Sequence, residues 1–189
     1  RSVVMRITVF APDLGTARPG RPARVRVLIT LRSVPEDRAQ PVRLRTVRYA
    51  RELPEVKHVG LFGAVHQRRA AQLAGYDDAL FVDARGRITE GPTWNVAFLD
   101  GDRVTWPAGD QLPGVTMRLL DGVLPRAGLT GRVAEVTPAD LDGRYAAVIT
   151  NAAIGVRPVD SVDGVRLPAA PALVEALREA YRSIEPVPL

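Results

Sequence analysis

Short apolar runs separated by turn residues constrain this chain more than anything else in it. Tyr145 to Thr150 reads Tyr-Ala-Ala-Val-Ile-Thr, the pattern of a short buried strand. Ala79 to Val82 is a second such run. Val3 to Phe10, Val25 to Leu31 and Val42 to Tyr49 alternate with the two-residue period of a strand. Val96 to Leu99 and Arg103 to Trp106 flank Asp100-Gly101-Asp102 and read as a hairpin. Arg132 to Val136 and Val156 to Val162 add two more strands. Three helical stretches lie among them: from just after His58 to about Ala74, from Val115 to about Arg126, and from Ala169 to about Arg182. In the first, Leu61, Ala64, Val65, Ala71 and Leu73 supply the apolar side, Gln67, Arg68 and Arg69 face water, and Gly75 is the stop. Thr137-Pro138-Ala139-Asp140 has the signature of a capped helical turn. Ala11 to Ala23 and Ser33 to Gln40 are rich in turn residues and read as connections. Strands mixed with helices, without an internal repeat, imply an α+β or mixed α/β domain. A chain of 189 residues is long enough for one real core.

Basic residues number 26, of which 25 are Arg and one is Lys57. A chain that uses arginine almost everywhere keeps a lysine where arginine will not serve. A guanidinium stays protonated and is a poor nucleophile, whereas a desolvated amine can attack a carbonyl. The net charge of +5 is spread along the chain, with a mild excess between Arg18 and Arg51. No zinc-finger, helix-turn-helix or RNA-recognition motif accompanies it, and aromatics are only 5%, thin for a base-stacking platform. A nucleic-acid partner is therefore not expected. There is no Cys, and two histidines, His58 and His66, are too few for a His-based metal site. No apolar run approaches the length of a membrane span and no signal peptide is visible, so a cytoplasmic protein is expected.

Four local features converge on one chemistry. Lys57 follows Pro54 and precedes a helix, and a carbonyl-trapping amine must be held rigidly and partly desolvated. Glu90 lies in Thr89-Glu90-Gly91-Pro92-Thr93-Trp94-Asn95, where a carboxylate can face a ring nitrogen. Leu112-Pro113-Gly114-Val115-Thr116 opens a helix: Gly114 allows close backbone approach, and the amides of Val115 and Thr116 with the Thr116 hydroxyl suit a phosphate. Thr150-Asn151-Ala152-Ala153 ends a buried strand with small residues and amides. Each feature alone reads equally well as ordinary structure: a surface lysine, a solvated turn, a capped helix start, a strand end.

In this order and spacing, with 33 residues from Lys57 to Glu90 and 25 more to Val115, the set resembles the class IV pyridoxal-phosphate enzymes. That family includes branched-chain and D-amino-acid aminotransferases and aminodeoxychorismate lyase. Arg157-Pro158-Val159 and the stretch Ala71 to Asp83 strengthen the likeness, which covers about residues 42–165. The resemblance implies the large C-terminal domain of fold type IV, a curved mixed sheet with surrounding helices, over residues 51–189. Residues 1–50 would be the end of a small N-terminal domain and its connecting strands. It implies pyridoxal 5'-phosphate as cofactor, with Lys57 forming the aldimine and shuttling the proton. Glu90 would contact the pyridine nitrogen. Leu112 would pack near the ring, Gly114, Val115 and Thr116 would hold the phosphate, and Asn151 or Ala152 would lie nearby. Transamination of a small amino acid and its 2-keto acid partner, in a homodimer, is the implied function.

This sequence also departs from the family. Many members carry a tyrosine five residues after the lysine; here Leu61 and Phe62 occupy that region. Lys57-His58 resembles the lyase branch, which makes aminodeoxychorismate lyase chemistry the alternative. A non-catalytic relative or an inactive fragment is a third reading. The family's front domain supplies a phosphate-binding arginine and much of the substrate pocket. Without it, the chain is expected to hold the cofactor weakly. The bland expectations are that Trp94 and Trp106 pack, that His58 makes a structural hydrogen bond, and that His66 is a surface residue.

Overall fold

The computed structural model describes residues 3–34 and 40–185. The chain forms two compact units, Arg1–Glu36 and Asp37–Leu189. The first is an antiparallel ribbon of β1 (Val3–Phe10) and β2 (Arg26–Ser33), in register from Val3 opposite Ser33 to Phe10 opposite Arg26. Alternation puts Met5, Ile7 and Val9 on one face with Leu31, Ile29 and Val27 opposite them. All six are exposed. The polar connection expected at Ser33 to Gln40 falls largely outside the described residues.

The second unit is built on an eight-stranded mixed sheet. Its strands are β3 (Val42–Arg48), β4 (Asp78–Val82), β5 (Asn95–Asp100), β6 (Arg103–Pro107), β7 (Thr130–Ala134), β8 (Ala146–Asn151), β9 (Gly155–Val162) and the short β10 (Val165–Arg166). The order is β4-β3-β9-β8-β5-β6-β7, with β10 on β9. β3 runs parallel to both β4 and β9, and β6 runs parallel to β7; the other neighbours are antiparallel. β3 pairs with both β4 and β9 and so belongs to the sheet of the second unit. Three helices cover the sheet: α1 (Phe62–Leu73), α2 (Val115–Val123) and α3 (Pro171–Arg182).

β5 and β8 sit side by side in the sheet and are buried on both faces, which explains their unbroken apolar runs. On one side Val96, Phe98, Ala147 and Ile149 join Leu44, Leu80 and Trp94. On the other, Ala97, Leu99, Ala146 and Val148 pack with Trp106 and with Leu120 of α2 and Leu177 of α3. Both tryptophans are thus core residues, 4% and 2% exposed. The Trp106 indole N–H donates to Asp121 Oδ1 at 3.0 Å and pins β6 to α2.

Most of the expected elements are present, with small shifts at their ends. The second helix stops at Val123, where Pro125 forces a tighter 3-10 turn over Leu124–Ala127. The capped turn Pro138–Leu141 carries its full capping box between Thr137 and Asp140. In α1 the expected facing fails in part. Ala64 and Ala71 are buried, but Leu73 and Val65 are exposed and Arg68 turns inward to a carboxylate.

Candidate active site

Lys57 does not lie on a helix. It lies on an irregular segment between Tyr49 and α1, with its side chain exposed rather than partly buried. Local bonds give that segment its shape. The Gly60 N–H donates to His58 Nδ1 at 3.1 Å, which leaves Nε2 protonated to donate to the Glu52 carbonyl at 3.2 Å. His58 therefore staples the loop across Lys57, the structural role expected of it. Leu53 adopts φ of 47°, a left-handed conformation that costs a branched residue about 1 kcal/mol. The Val56 N–H closes the turn back onto the Leu53 carbonyl at 2.9 Å. His66 is exposed on α1, stacked on Phe62.

Glu90 is buried, 3% exposed, one residue before the turn that β4 and β5 bracket. Its Oε2 accepts the Leu112 N–H at 3.2 Å. Its Oε1 accepts no hydrogen bond, and Arg51 Nη1 lies 3.7 Å away. Burial pushes the carboxyl up to about 7; the Arg51 charge, the Leu112 N–H and the Lys57 charge pull the other way. Of these three, the Lys57 charge has the smallest influence.

The loop that meets Glu90 also shapes the start of α2. Asn95, 4% exposed, donates from Nδ2 to the Leu112 carbonyl at 2.7 Å and to Gln111 Oε1 at 3.0 Å. A Cβ on Gly114 would collide with Asn95 Oδ1, so glycine is required there by space. Gly114 is the N-cap with no side-chain cap, and the first helical bond runs from the Arg118 N–H to the Gly114 carbonyl. The amides of Val115 and Thr116 thus stay free of helical partners. The Thr116 hydroxyl is buried and makes no hydrogen bond. Gly114→Ala is expected to displace Asn95 and break its hold on residue 112, at a cost of about 1 kcal/mol or more in urea unfolding.

Asn151 is committed elsewhere. Its Oδ1 accepts the Ala153 and Ile154 N–H groups at 2.8 and 2.9 Å, and its Nδ2 donates to the Thr93 carbonyl at 3.0 Å. Its side chain shapes the turn after β8 and ties it to the loop after Glu90. Ala152 is exposed within that turn. The buried Thr150 hydroxyl next to it has no hydrogen-bond partner.

A polar cluster behind the loop fixes it further. Asp78 accepts both Nε and Nη2 of Arg68, at 3.0 and 2.8 Å, and the Trp94 indole N–H at 2.7 Å. Arg68 Nη2 also donates to Thr93 Oγ1 at 2.8 Å. α1, β4 and the 91–94 turn are thereby clamped together. Asp78→Ala would strand the buried indole N–H and a partly buried guanidinium, and should cost about 3 kcal/mol in urea unfolding. Asp78→Asn, which keeps an acceptor, should cost clearly less.

Sequence reasoning assigned no role to Arg51 or Asn95. Asn95 was within reach, as the last residue of the Glu90 motif. Arg51 gave no signal, because one arginine among 25 is uninformative. In the region where many members have tyrosine, Phe62 is 86% exposed and offers no hydrogen bond.

Residues 1–162 match the family described as amino-transferase class IV. A probable branched-chain-amino-acid aminotransferase of Rickettsia felis (strain ATCC VR-1525 / URRWXCal2) is 25% identical over 164 residues, covering 83% of this chain and 54% of that protein. The branched-chain aminotransferase of Thermoproteus uzoniensis, solved with norvaline, superposes with a TM-score of 0.86 at 19% identity, over 95% of this chain and 63% of that one. The T.th. branched-chain amino acid aminotransferase, solved with pyridoxamine 5'-phosphate, gives 0.82 at 24% identity, over 96% and 64%. The chain spans about half the length of the curated relative and under two thirds of these solved chains. Its mixed sheet with surrounding helices is the fold of these aminotransferases, as the sequence led one to expect. With the family match running through Lys57, Glu90 and the start of α2, this chain belongs to the class IV aminotransferases.

Proposed function

We propose that the chain carries the cofactor-binding domain of a pyridoxal-phosphate-dependent aminotransferase acting on a small amino acid and its 2-keto acid partner. The observation that carries this reading is Glu90 Oε1, a buried carboxylate oxygen with no hydrogen bond that feels the charge of the only lysine in the chain. The cofactor fits the residues present. Glu90 Oε1 can accept a ring N–H; the free Thr116 hydroxyl and the α2 amides can take a phosphate; Gly114 keeps the approach open. Leu112, held through its backbone by Glu90 and Asn95, would pack near the ring. In this reading the backbone groups of the turn at Asn151 and Ala152 would close the far side of the phosphate site.

When bound, pyridoxal 5'-phosphate supplies an electron sink for the carbanion left by loss of the substrate's α-proton. The protein does the rest. Lys57 Nζ would hold the cofactor and, once free, would take the proton from the substrate Cα and return it to the cofactor carbon on the far side of the shared nitrogen. Glu90, ionised, holds the ring nitrogen protonated. Its own affinity for a proton therefore has to be kept below that of the ring. The relative solved with norvaline supports a small aliphatic amino acid as substrate, and the one solved with pyridoxamine 5'-phosphate supports the cofactor.

Lyase chemistry on an amino-substituted chorismate-like acid is the second reading. His58 beside Lys57, and Leu61 and Phe62 in the tyrosine region, favour it. Assaying the complete protein for keto-acid-dependent amino transfer and for pyruvate release separates the two; pyruvate release without amino transfer would discard the first. Residues 1–50 then count as the end of a small domain and its connecting strands, and a cytoplasmic homodimer is part of the same proposal. Among the described residues, no helix is long and apolar enough to cross a membrane.

A further inference from the structure

Arg51 is nearly inaccessible, its side chain 6% exposed, and it faces the 4% exposed side chain of Glu90. Its guanidinium forks. Nη2 donates to the Val56 carbonyl at 3.1 Å, one residue before Lys57, while Nη1 lies 3.7 Å from Glu90 Oε1. One rigid planar group thus reaches both the lysine segment and the carboxylate. Glu90 has little else to keep it charged. One oxygen takes a backbone N–H, the other takes no hydrogen bond, and the nearby ammonium of Lys57 exerts the weakest pull of the three groups that favour ionisation. The charge on Lys57 must also come and go if that amine moves a proton. A guanidinium keeps its charge throughout the accessible pH range.

We propose that Arg51 is a positioning residue that favours the ionised form of Glu90 and ties it to the Lys57 segment, whatever the protonation state of Lys57. The inference rests on the cofactor reading for its purpose, but its physical content concerns the protein alone. An arginine that merely fastened the Val56 carbonyl would leave Glu90 indifferent to its removal. One that serves as counter-ion would not. Lysine at this position keeps the charge but loses the fork, so it should rescue Glu90 better than it rescues the loop.

The test is a carbon NMR titration of the full chain, labelled at the glutamate carboxyl carbons and free of cofactor. The Glu90 signal is assigned by its loss in E90Q. In Arg51→Met the Glu90 midpoint should rise by about one unit or more above the wild-type value. Arg51→Lys should recover most of that rise, and Lys57→Met should shift the midpoint less than Arg51→Met does. An unchanged midpoint in Arg51→Met, or a larger shift in Lys57→Met, overturns the proposal. If Arg51→Met fails to fold, the double variant R51M/E90Q decides. Recovery of folding shows that an acid buried without its counter-ion was the fault, and persistent unfolding overturns the proposal. Borohydride treatment of the wild-type chain with pyridoxal 5'-phosphate reads the cofactor assignment separately. No label on Lys57, with the Arg51→Met shift intact, would remove the cofactor reading and leave the ion-pair inference standing.

Discussion

Replacing Lys57 with alanine should lower amino-transfer activity of the complete protein by at least about a thousandfold, the scale expected when an essential proton-transfer group is lost. The same change should leave stability within about 0.5 kcal/mol, because the side chain is exposed and makes no structural hydrogen bond that the fold depends on. This contrast separates chemistry from folding. Lys57→Arg is the sharper control: it preserves positive charge beside Glu90 and still cannot supply a neutral amine. Activity measured with a small aliphatic amino acid and a 2-keto acid acceptor, alongside a thermal melt, gives both readouts. Borohydride reduction with the cofactor present should fix a label on the wild-type chain and none on either variant. Full activity in Lys57→Ala would end the enzyme reading altogether. Comparable losses of activity and stability would instead make Lys57 a structural residue.

The strands were largely legible because alternation and short apolar runs are local patterns. β5 and β8 declare burial on both faces through residues 96–99 and 145–150 alone. β10 was missed: two residues give no period to read. The site was legible at the residues whose type is unusual for this chain, above all its single lysine. What escaped were pairings between distant residues. Arg68 sits at a position that helical periodicity sends to water, and Asp78, ten residues on, draws it inward. Arg51 and Glu90 are 39 residues apart, joined only because β3 and β4 lie side by side. Nor does the sequence show that both ends of the Asn151 amide bond backbone groups of the protein.

The second large effect concerns pH and stability. Glu90 has its carboxyl raised from 4.5 to about 7 in the folded chain, chiefly by burial. Between those values the folded state holds a proton that the unfolded state has released. Stability must therefore fall as pH rises through the window: the contribution is fully present below 4.5, is lost as pH climbs to about 7, and changes no further above it. A shift of that size corresponds to about 3 kcal/mol across the window. Urea unfolding of the cofactor-free chain at a series of pH values should show this slope in the wild type and not in Glu90→Gln. Comparing the two curves cancels every contribution common to both. The absolute stability of Glu90→Gln is set by a second effect, since the amide leaves the buried Arg51 without its counter-charge. The diagnostic quantity is accordingly the slope. Parallel curves would mean that Glu90 is not the group that burial penalises. A ligand that donates an N–H to Oε1 favours the ionised carboxylate, so saturating cofactor should flatten the wild-type slope towards that of Glu90→Gln. Under the proposed cofactor assignment, the cost of burying this acid in the cofactor-free chain would become binding selectivity for a protonated ring nitrogen facing Glu90.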